Sequence, residues 1–271
     1  MNHPWIIPRC VLHSWIFTLV LLVGTAPVVA QANGPYYLSL KRDLVYGTAA
    51  AGSVALGSLL RSRTPDIVLS DLELGSIPSF DRIATEFSSA AARNLSDYGL
   101  YASAALPGLL LLGPETRRDA PKIGLLFAQT MLLNQGLTDI VKSSAKRPRP
   151  YVFDENLDPA TVIRGNDRAA FLSGHTSTSA AAGFFFARVF SDYYPDSRLK
   201  PFAWILGAGF PALTGYLRIR AGQHYPSDVL AGYTLGALIG YAVPALHRKP
   251  PGRRRMSLVP AGSSLYLSYR F

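Results

Sequence analysis

The chain has 271 residues, 49% hydrophobic and 16% charged, with mean hydropathy +0.17, a balance that points to a helix-rich core or a compact membrane bundle. Its single cysteine, Cys10, lies in an N-terminal leader, which excludes disulfides, thiolate catalysis and cysteine metal sites from the rest. The net charge of +10 allows nucleic acid, an anionic membrane surface or an anionic substrate as partner.

In chain order, Arg9 precedes the apolar run WIFTLVLLV (15–23), and APVVAQA offers small-residue cleavage sites after Ala30 or Ala32. Residues 1–32 therefore read as an export signal or, uncleaved, as an anchor. The segment 43–60 is helical in pattern and rich in Gly and Ala. Between 61 and 96 the chain is more polar, and Phe80, Ile83, Ala84 and Phe87 recur at the spacing of a short amphipathic helix. Such a helix lies on a bilayer surface or packs on the bundle.

Five apolar segments follow, at 98–113, 120–141, 169–190, 202–217 and 228–246, making six with 43–60. Several fall short of the ~20 residues that span hydrocarbon comfortably. Their many Gly, Ala, Ser and Thr suit close helix packing. The basic run HRKPPGRRR (247–255) directly follows the last segment, which favours juxtamembrane anchoring and argues against nucleic acid. In the tail, MSLVPAGSSLYLSYRF (256–271), apolar and polar residues alternate around Pro-Ala-Gly, the pattern of a short β-hairpin.

The chemistry sits at the junctions. Lys142 and Arg149-Pro150 close the 120–141 segment, Ser173-Gly174-His175 opens the next, and Arg218, His224 and Asp228 precede the last. Arginine grips phosphate oxygens with a planar fork, and lysine adds a point charge. Ser173 and Gly174 stand at a helix start, where backbone N–H groups and the dipole favour an anion. His224 and Asp228 are four apart, so one helical turn brings them to a common face. A carboxylate on one imidazole nitrogen leaves the other free to attack.

Taken singly, each cluster has a plainer reading: helix-end anchors, a satisfied histidine at a helix start, a local ion pair. Those readings do not account for three clusters in this order and at these spacings.

The three clusters together resemble the signature of the type 2 phosphatidic acid phosphatases, whose superfamily includes vanadium haloperoxidases and bacterial class A acid phosphatases. That signature is Lys-x6-Arg-Pro, Pro-Ser-Gly-His and Ser-Arg-x5-His-x3-Asp. The resemblance covers about residues 80 to 246 and departs at two positions, where Leu172 replaces Pro and Leu217 replaces Ser. The lost Ser hydroxyl removes one possible phosphate contact, while every charged and imidazole position remains.

The resemblance implies an all-α fold, an antiparallel bundle of about six helices, membrane-embedded and followed here by the hairpin. It divides the chain into a signal or anchor (1–32), a phosphatase-like helical domain (33–247) and a basic linker with hairpin (248–271). It makes His224 the nucleophile that becomes phosphohistidine, Asp228 its orienter and His175 the general acid. Lys142, Arg149, Ser173, Gly174 and Arg218 hold the phosphoryl group. No metal and no cofactor is implied. The substrate class is a lipid phosphate or diphosphate: phosphatidic acid, a polyprenyl diphosphate or a lipid A phosphate. A soluble phosphomonoesterase, a vanadate-dependent haloperoxidase and a non-catalytic lipid-phosphate binder are the alternatives.

The basic loops at 113–122, at 197–200 and at 247–255 would be cytoplasmic under the positive-inside rule. The motifs would then face the periplasm from the inner membrane of a bacterial envelope. A cleaved leader followed by six crossings would put them inside instead, so the periplasm-facing site requires fewer crossings, a retained leader or a periplasmic bundle.

Overall fold

The computed structural model describes residues 34–249 except 74, 76 and 155–161, together with 256–261 and 264–269. The expected leader, residues 1–32, lies outside them, as do residues 250–255 of the basic run. Among the described residues six long helices form the body: α1 (Leu40–Ser62), α2 (Ala90–Ala105), α3 (Ala120–Ala145), α4 (Gly174–Tyr193), α5 (Lys200–Arg220) and α6 (Pro226–Leu246).

Local chemistry sets the helix ends. α2 starts eight residues before the apolar run because Ser89 caps it, its side chain accepting from Ala92 N. It tightens into a 3₁₀ stretch, Leu106–Leu112, where Pro107 lacks the N–H that an α-helix would use. α4 starts at Gly174, capped by Ser173, five residues later than apolarity alone suggests. The expected amphipathic segment is helical from Ser79 to Glu86, but its faces differ from expectation. Asp81 and Ala84 are buried against the bundle, while Phe80 is 63% and Ile83 50% exposed.

α4 is the central helix, packed against α6, α5, α2 and α3. Its inner positions are small: Ala180, Ala181, Ala182 and Ala187 have no exposed surface. Glycines let the neighbours approach it closely. Gly232, Gly236 and Gly240 form one row on α6, and a Cβ at Gly232 would come within 2.5 Å of the Ser173 carbonyl oxygen. α1 packs on α3, where a Cβ at Gly57 would meet Asp139 Cβ at 2.8 Å.

The outside is apolar where a soluble bundle would be polar. Leu44, Val45, Leu56, Leu95, Tyr101, Leu112, Phe202, Ile205, Leu230 and Leu238 are all exposed. Three stretches are long and apolar enough to cross a membrane: Leu40–Ser62, Ala90–Leu112 and Pro226–Leu246, with mean hydropathies of 1.2, 1.2 and 1.6. The Gly- and Ala-rich first segment is among them, so it is not excluded from crossing by length or composition.

The antiparallel order sends both ends of the bundle to opposite poles. At one, α1 begins against the end of α6: Tyr37 N donates to His247 O, and His247 Nε2 lies 2.7 Å from Asp43 Oδ1. The junctions 113–119 and 194–199 share this pole, joined by the Tyr193 hydroxyl donating to Asp119. The other pole gathers the ends of α3 and α5 and the starts of α2, α4 and α6. There a two-residue antiparallel pairing, Ile67 with Ile163 and Val68 with Val162, ties the connection after α1 to the loop before α4. The tail forms the expected hairpin, Met256–Ala261 paired with Ser264–Tyr269.

Candidate active site

At the second pole three irregular connections are stitched together by backbone bonds. α3 ends on Lys146 in the left-handed conformation (φ 47°), its N–H bonded to Lys142 O. The chain that follows pairs with the approach to α4, Arg149 N donating to Asp167 O at 2.8 Å and Ala170 N to Arg147 O at 3.0 Å. α5 ends in a turn at Gly222 (φ 63°), a conformation that favours glycine, and Tyr151 N donates to Gly222 O. Pro226 then opens α6 at its first position, where no N–H is needed.

This stitching buries three cations near one another. Lys142 Nζ donates to Ala169 O at 2.7 Å. Arg149 Nε donates to Asn166 O at 3.1 Å, and its Nη1 reaches both oxygens of Gln223 at 3.4 Å. Arg218 Nη2 donates to the same Gln223 side-chain oxygen at 3.3 Å, and its Nη1 to Ser96 Oγ at 3.3 Å. One amide oxygen thus sets the spacing of two guanidinium groups. Arg218 Nε and Gln223 Nε2 are buried donors with no partner, a state that normally costs on the order of 1–3 kcal/mol each.

His224, 1% exposed, lies among these cations. Its Nδ1 is 2.8 Å from Ala170 O, which makes that nitrogen the protonated one and leaves Nε2 with its lone pair. Burial, then the charges of Arg149, Lys142 and Arg218, push the imidazole well below the usual histidine range, so it is neutral near pH 7. His175, in the first turn of α4, places Nε2 2.8 Å from Asp97 Oδ1 of α2. Burial and Arg218 push it down to about 4, against the pull of Asp97.

Two expected contacts differ. Asp228 Oδ2 stands 3.7 Å from His224 Nδ1, beyond hydrogen-bond length, and the backbone carbonyl of Ala170 takes the place expected for the carboxylate. Asp228 instead accepts from Tyr225 N at 2.8 Å and Arg147 Nη1 at 2.7 Å. Ser173 does not present a free backbone N–H, since it donates to Asp228 O at 2.9 Å, and its hydroxyl is engaged with Thr176. Gly174 packs beside Lys142, whose Cε would lie 3.4 Å from a Cβ there. Leu172 at the departing motif position is 4% exposed and fills the wall.

Lys142, Arg149, Ser173, Gly174, His175, Arg218, His224 and Asp228 therefore come together at one end of the bundle. Sequence reasoning missed Asp97, Arg147 and Gln223. Asp97 carried a signal, being the one acidic residue of the Ala90–Leu112 candidate span, where an ionisable group is a functional-site hypothesis by default. Arg147 and Gln223 sit inside the motif spacings at positions the signature leaves open. Arg220, also outside the signature, lies over the Phe87 ring at 4.4 Å.

Three buried cations and two imidazoles at one end of the bundle make a site with the chemistry to hold an anion. The PAP2 superfamily profile matches residues 123–251, which include all three clusters. A lipid A 4'-phosphatase of Porphyromonas gingivalis is 25% identical over 123 residues, 45% of this chain and 49% of that protein. A lipid A 1-phosphatase of Rhizobium etli is 32% identical over 115 residues, 42% of this chain and 46% of that one. The chain matches about half the length of these curated relatives. The crystal structure of a transmembrane PAP2-type phosphatidylglycerolphosphate phosphatase from Bacillus subtilis aligns over 86% of this chain and 94% of its own, at 18% identity and a TM-score of 0.40. Over residues 123–251, with the three clusters inside the match, the chain is similar to the PAP2 superfamily.

Proposed function

We propose that the protein is a metal-independent phosphatase acting on a lipid phosphate or diphosphate through a phosphohistidine. The observation that carries this reading is His224: neutral, buried among Lys142, Arg149 and Arg218, with Nδ1 held by Ala170 and Nε2 free. Nucleophiles in such sites work by position and charge stabilisation. Nε2 attacks phosphorus, the phosphoryl oxygens gather charge against the three cations, and the unpartnered Arg218 Nε and Gln223 Nε2 supply further donors. The bond from phosphorus to the substrate oxygen breaks as His175 protonates that oxygen. Water, giving a proton back to His175, then releases phosphate from His224.

A histidine held near 4 is not protonated at pH 7, so in this mechanism His175 takes up its proton together with the phosphate dianion. Asp97 stabilises that imidazolium once it forms.

The lipid assignment rests on the apolar exterior and three candidate spans, and the lipid A phosphatases among the relatives favour a lipid A phosphate. In this reading residues 33–247 are the catalytic domain, 1–32 a leader and 248–271 a basic linker with hairpin. The pole holding 113–119, 194–199 and the end of α6 is cytoplasmic, and the site faces the periplasm from the inner membrane.

The test is phosphate release by the purified full chain from lipid A, phosphatidic acid, undecaprenyl diphosphate and p-nitrophenyl phosphate, with EDTA present. Release from a lipid that survives EDTA supports the reading. Release from p-nitrophenyl phosphate alone makes the enzyme a soluble-ester phosphatase, and no release from any substrate overturns it.

A further inference from the structure

In the third cluster, the Asp228 side chain is bound to Arg147, a basic residue that the signature leaves open. Arg147 Nη1 donates to Asp228 Oδ1 at 2.7 Å and to Ser227 Oγ at 2.8 Å. Its Nη2 donates to Asp81 Oδ2 at 2.7 Å. Asp81 in turn accepts from Ser227 N at 2.9 Å and Ser227 Oγ at 2.6 Å. The guanidinium carbon lies 3.9 Å over the Tyr225 ring. Both ends and one face of this arginine are thus committed to the first turn of α6 and to the helical turn at Ser79–Arg82. Its two terminal nitrogens are taken up by Asp81, Ser227 and Asp228, whereas Arg218 keeps a buried Nε without a partner.

We infer that Arg147 is a positioning residue: it neutralises Asp228 beneath His224 and, anchored by Asp81, fixes the chain that carries the nucleophile. The inference rests on the phosphatase reading and assigns a role to two residues that the family signature leaves open. The physical reason is the 3.7 Å between Asp228 Oδ2 and His224 Nδ1. A bare carboxylate at that distance would favour the imidazolium, which cannot attack. The groups facing His224 are Lys142 from α3, Arg149 from the following loop, His175 from α4, Arg218 from α5 and Asp228 from α6. Asp228 is the one anion of the five, and Arg147 offsets it. The Tyr225 ring and the Asp81 clamp hold the guanidinium so that the offset does not depend on a flexible side chain.

The experiment compares wild type, Arg147→Ala, Arg147→Lys, Asp81→Asn and Arg149→Ala in detergent. It reads kcat and KM across pH on phosphatidic acid or whichever lipid the wild type hydrolyses, and the histidine titration by NMR, with His224→Asn assigning the signal. Arg147→Ala should lower kcat about tenfold or more, with KM nearly unchanged. Its acid limb and the His224 titration should both move upward by about one pH unit. Arg147→Lys keeps the charge but not both anchors, so kcat falls while the titration stays near wild type. Asp81→Asn behaves like Arg147→Lys and carries the test if Arg147→Ala does not fold. A rise in KM matching Arg149→Ala, with the His224 titration unmoved, would make Arg147 a substrate ligand and overturn the inference. The NMR arm needs no turnover: a His224 titration unmoved in Arg147→Ala defeats the inference, whereas an inactive wild type defeats only the phosphatase reading.

Discussion

Asp97 Oδ1 lies 2.8 Å from His175 Nε2, joining the acidic residue of α2 to the first turn of α4. Arg218 Nη1 stands 3.6 Å from the same oxygen, so one carboxylate serves both the proposed general acid and one of the proposed phosphate-binding cations. Asp97 is 43% exposed on its side chain, which puts the pair at the open side of the site.

Asp97→Asn should therefore lower kcat about tenfold, within the range for a weakened general acid, and leave KM nearly unchanged. The amide still fills the space but cannot stabilise the imidazolium. Steady-state kinetics on the preferred lipid check this, and a change confined to KM would show that the pair binds substrate and does not assist departure.

Arg149→Lys should act the other way. The lysine keeps the charge but loses the fork shared between Asn166 O and Gln223. KM should rise about tenfold, equivalent to ~1.4 kcal/mol of lost binding, with a smaller fall in kcat. Inorganic phosphate, as a competitive inhibitor, should weaken by a similar factor.

Stability should fall on the acid side of neutrality. Folding holds His224 well below its ordinary value of 6.5 and His175 at about 4, so the unfolded chain binds protons that the folded chain refuses. The stability these neutral imidazoles allow is complete above pH 6.5 and is lost as pH drops below it, at up to ~1.4 kcal/mol per pH unit for each group. Melting temperatures of the detergent-solubilised protein at pH 8.0, 6.5 and 5.0 should decline in that order, and His224→Asn should flatten the slope.

Gly236→Ala should destabilise the bundle by about 1–3 kcal/mol, since the added Cβ would lie 2.8 Å from Ser177 C on the central helix. Gly124→Ala, where a Cβ meets nothing within 4 Å, should be neutral or stabilising by up to ~1 kcal/mol. A pair of thermal melts decides this, and equal effects of the two substitutions would show that the glycine row is not a packing seam.

Much of the molecule is legible in the sequence because apolar runs and turn residues act locally. The six helices, the tail hairpin and the junction clusters all follow from hydropathy and from Gly, Pro and Ser at the ends. What escapes is whatever depends on partners far along the chain. Arg147 reads as one more basic residue in KSSAKRPRP until Asp81, 66 positions earlier, and Asp228, 81 positions later, close on it. The i, i+4 spacing of His224 and Asp228 suggests a direct bond, yet His224 precedes Pro226 and so stands outside the helix that spacing assumes. The outward turn of Phe80 and Ile83 has the same origin: ion pairing at Asp81 outweighs apolar spacing in a segment of only two turns.

The mechanism proposed above puts the phosphoryl group on His224. The most direct measurement is rapid acid-free quenching of the full chain mixed with ³²P-labelled lipid phosphate, followed by mapping of the label. The expected label is an alkali-stable, acid-labile phosphoramidate on His224, absent from His224→Ala and accumulating in a variant slowed in hydrolysis. Label on another residue, or phosphate release undiminished in His224→Ala, would contradict it.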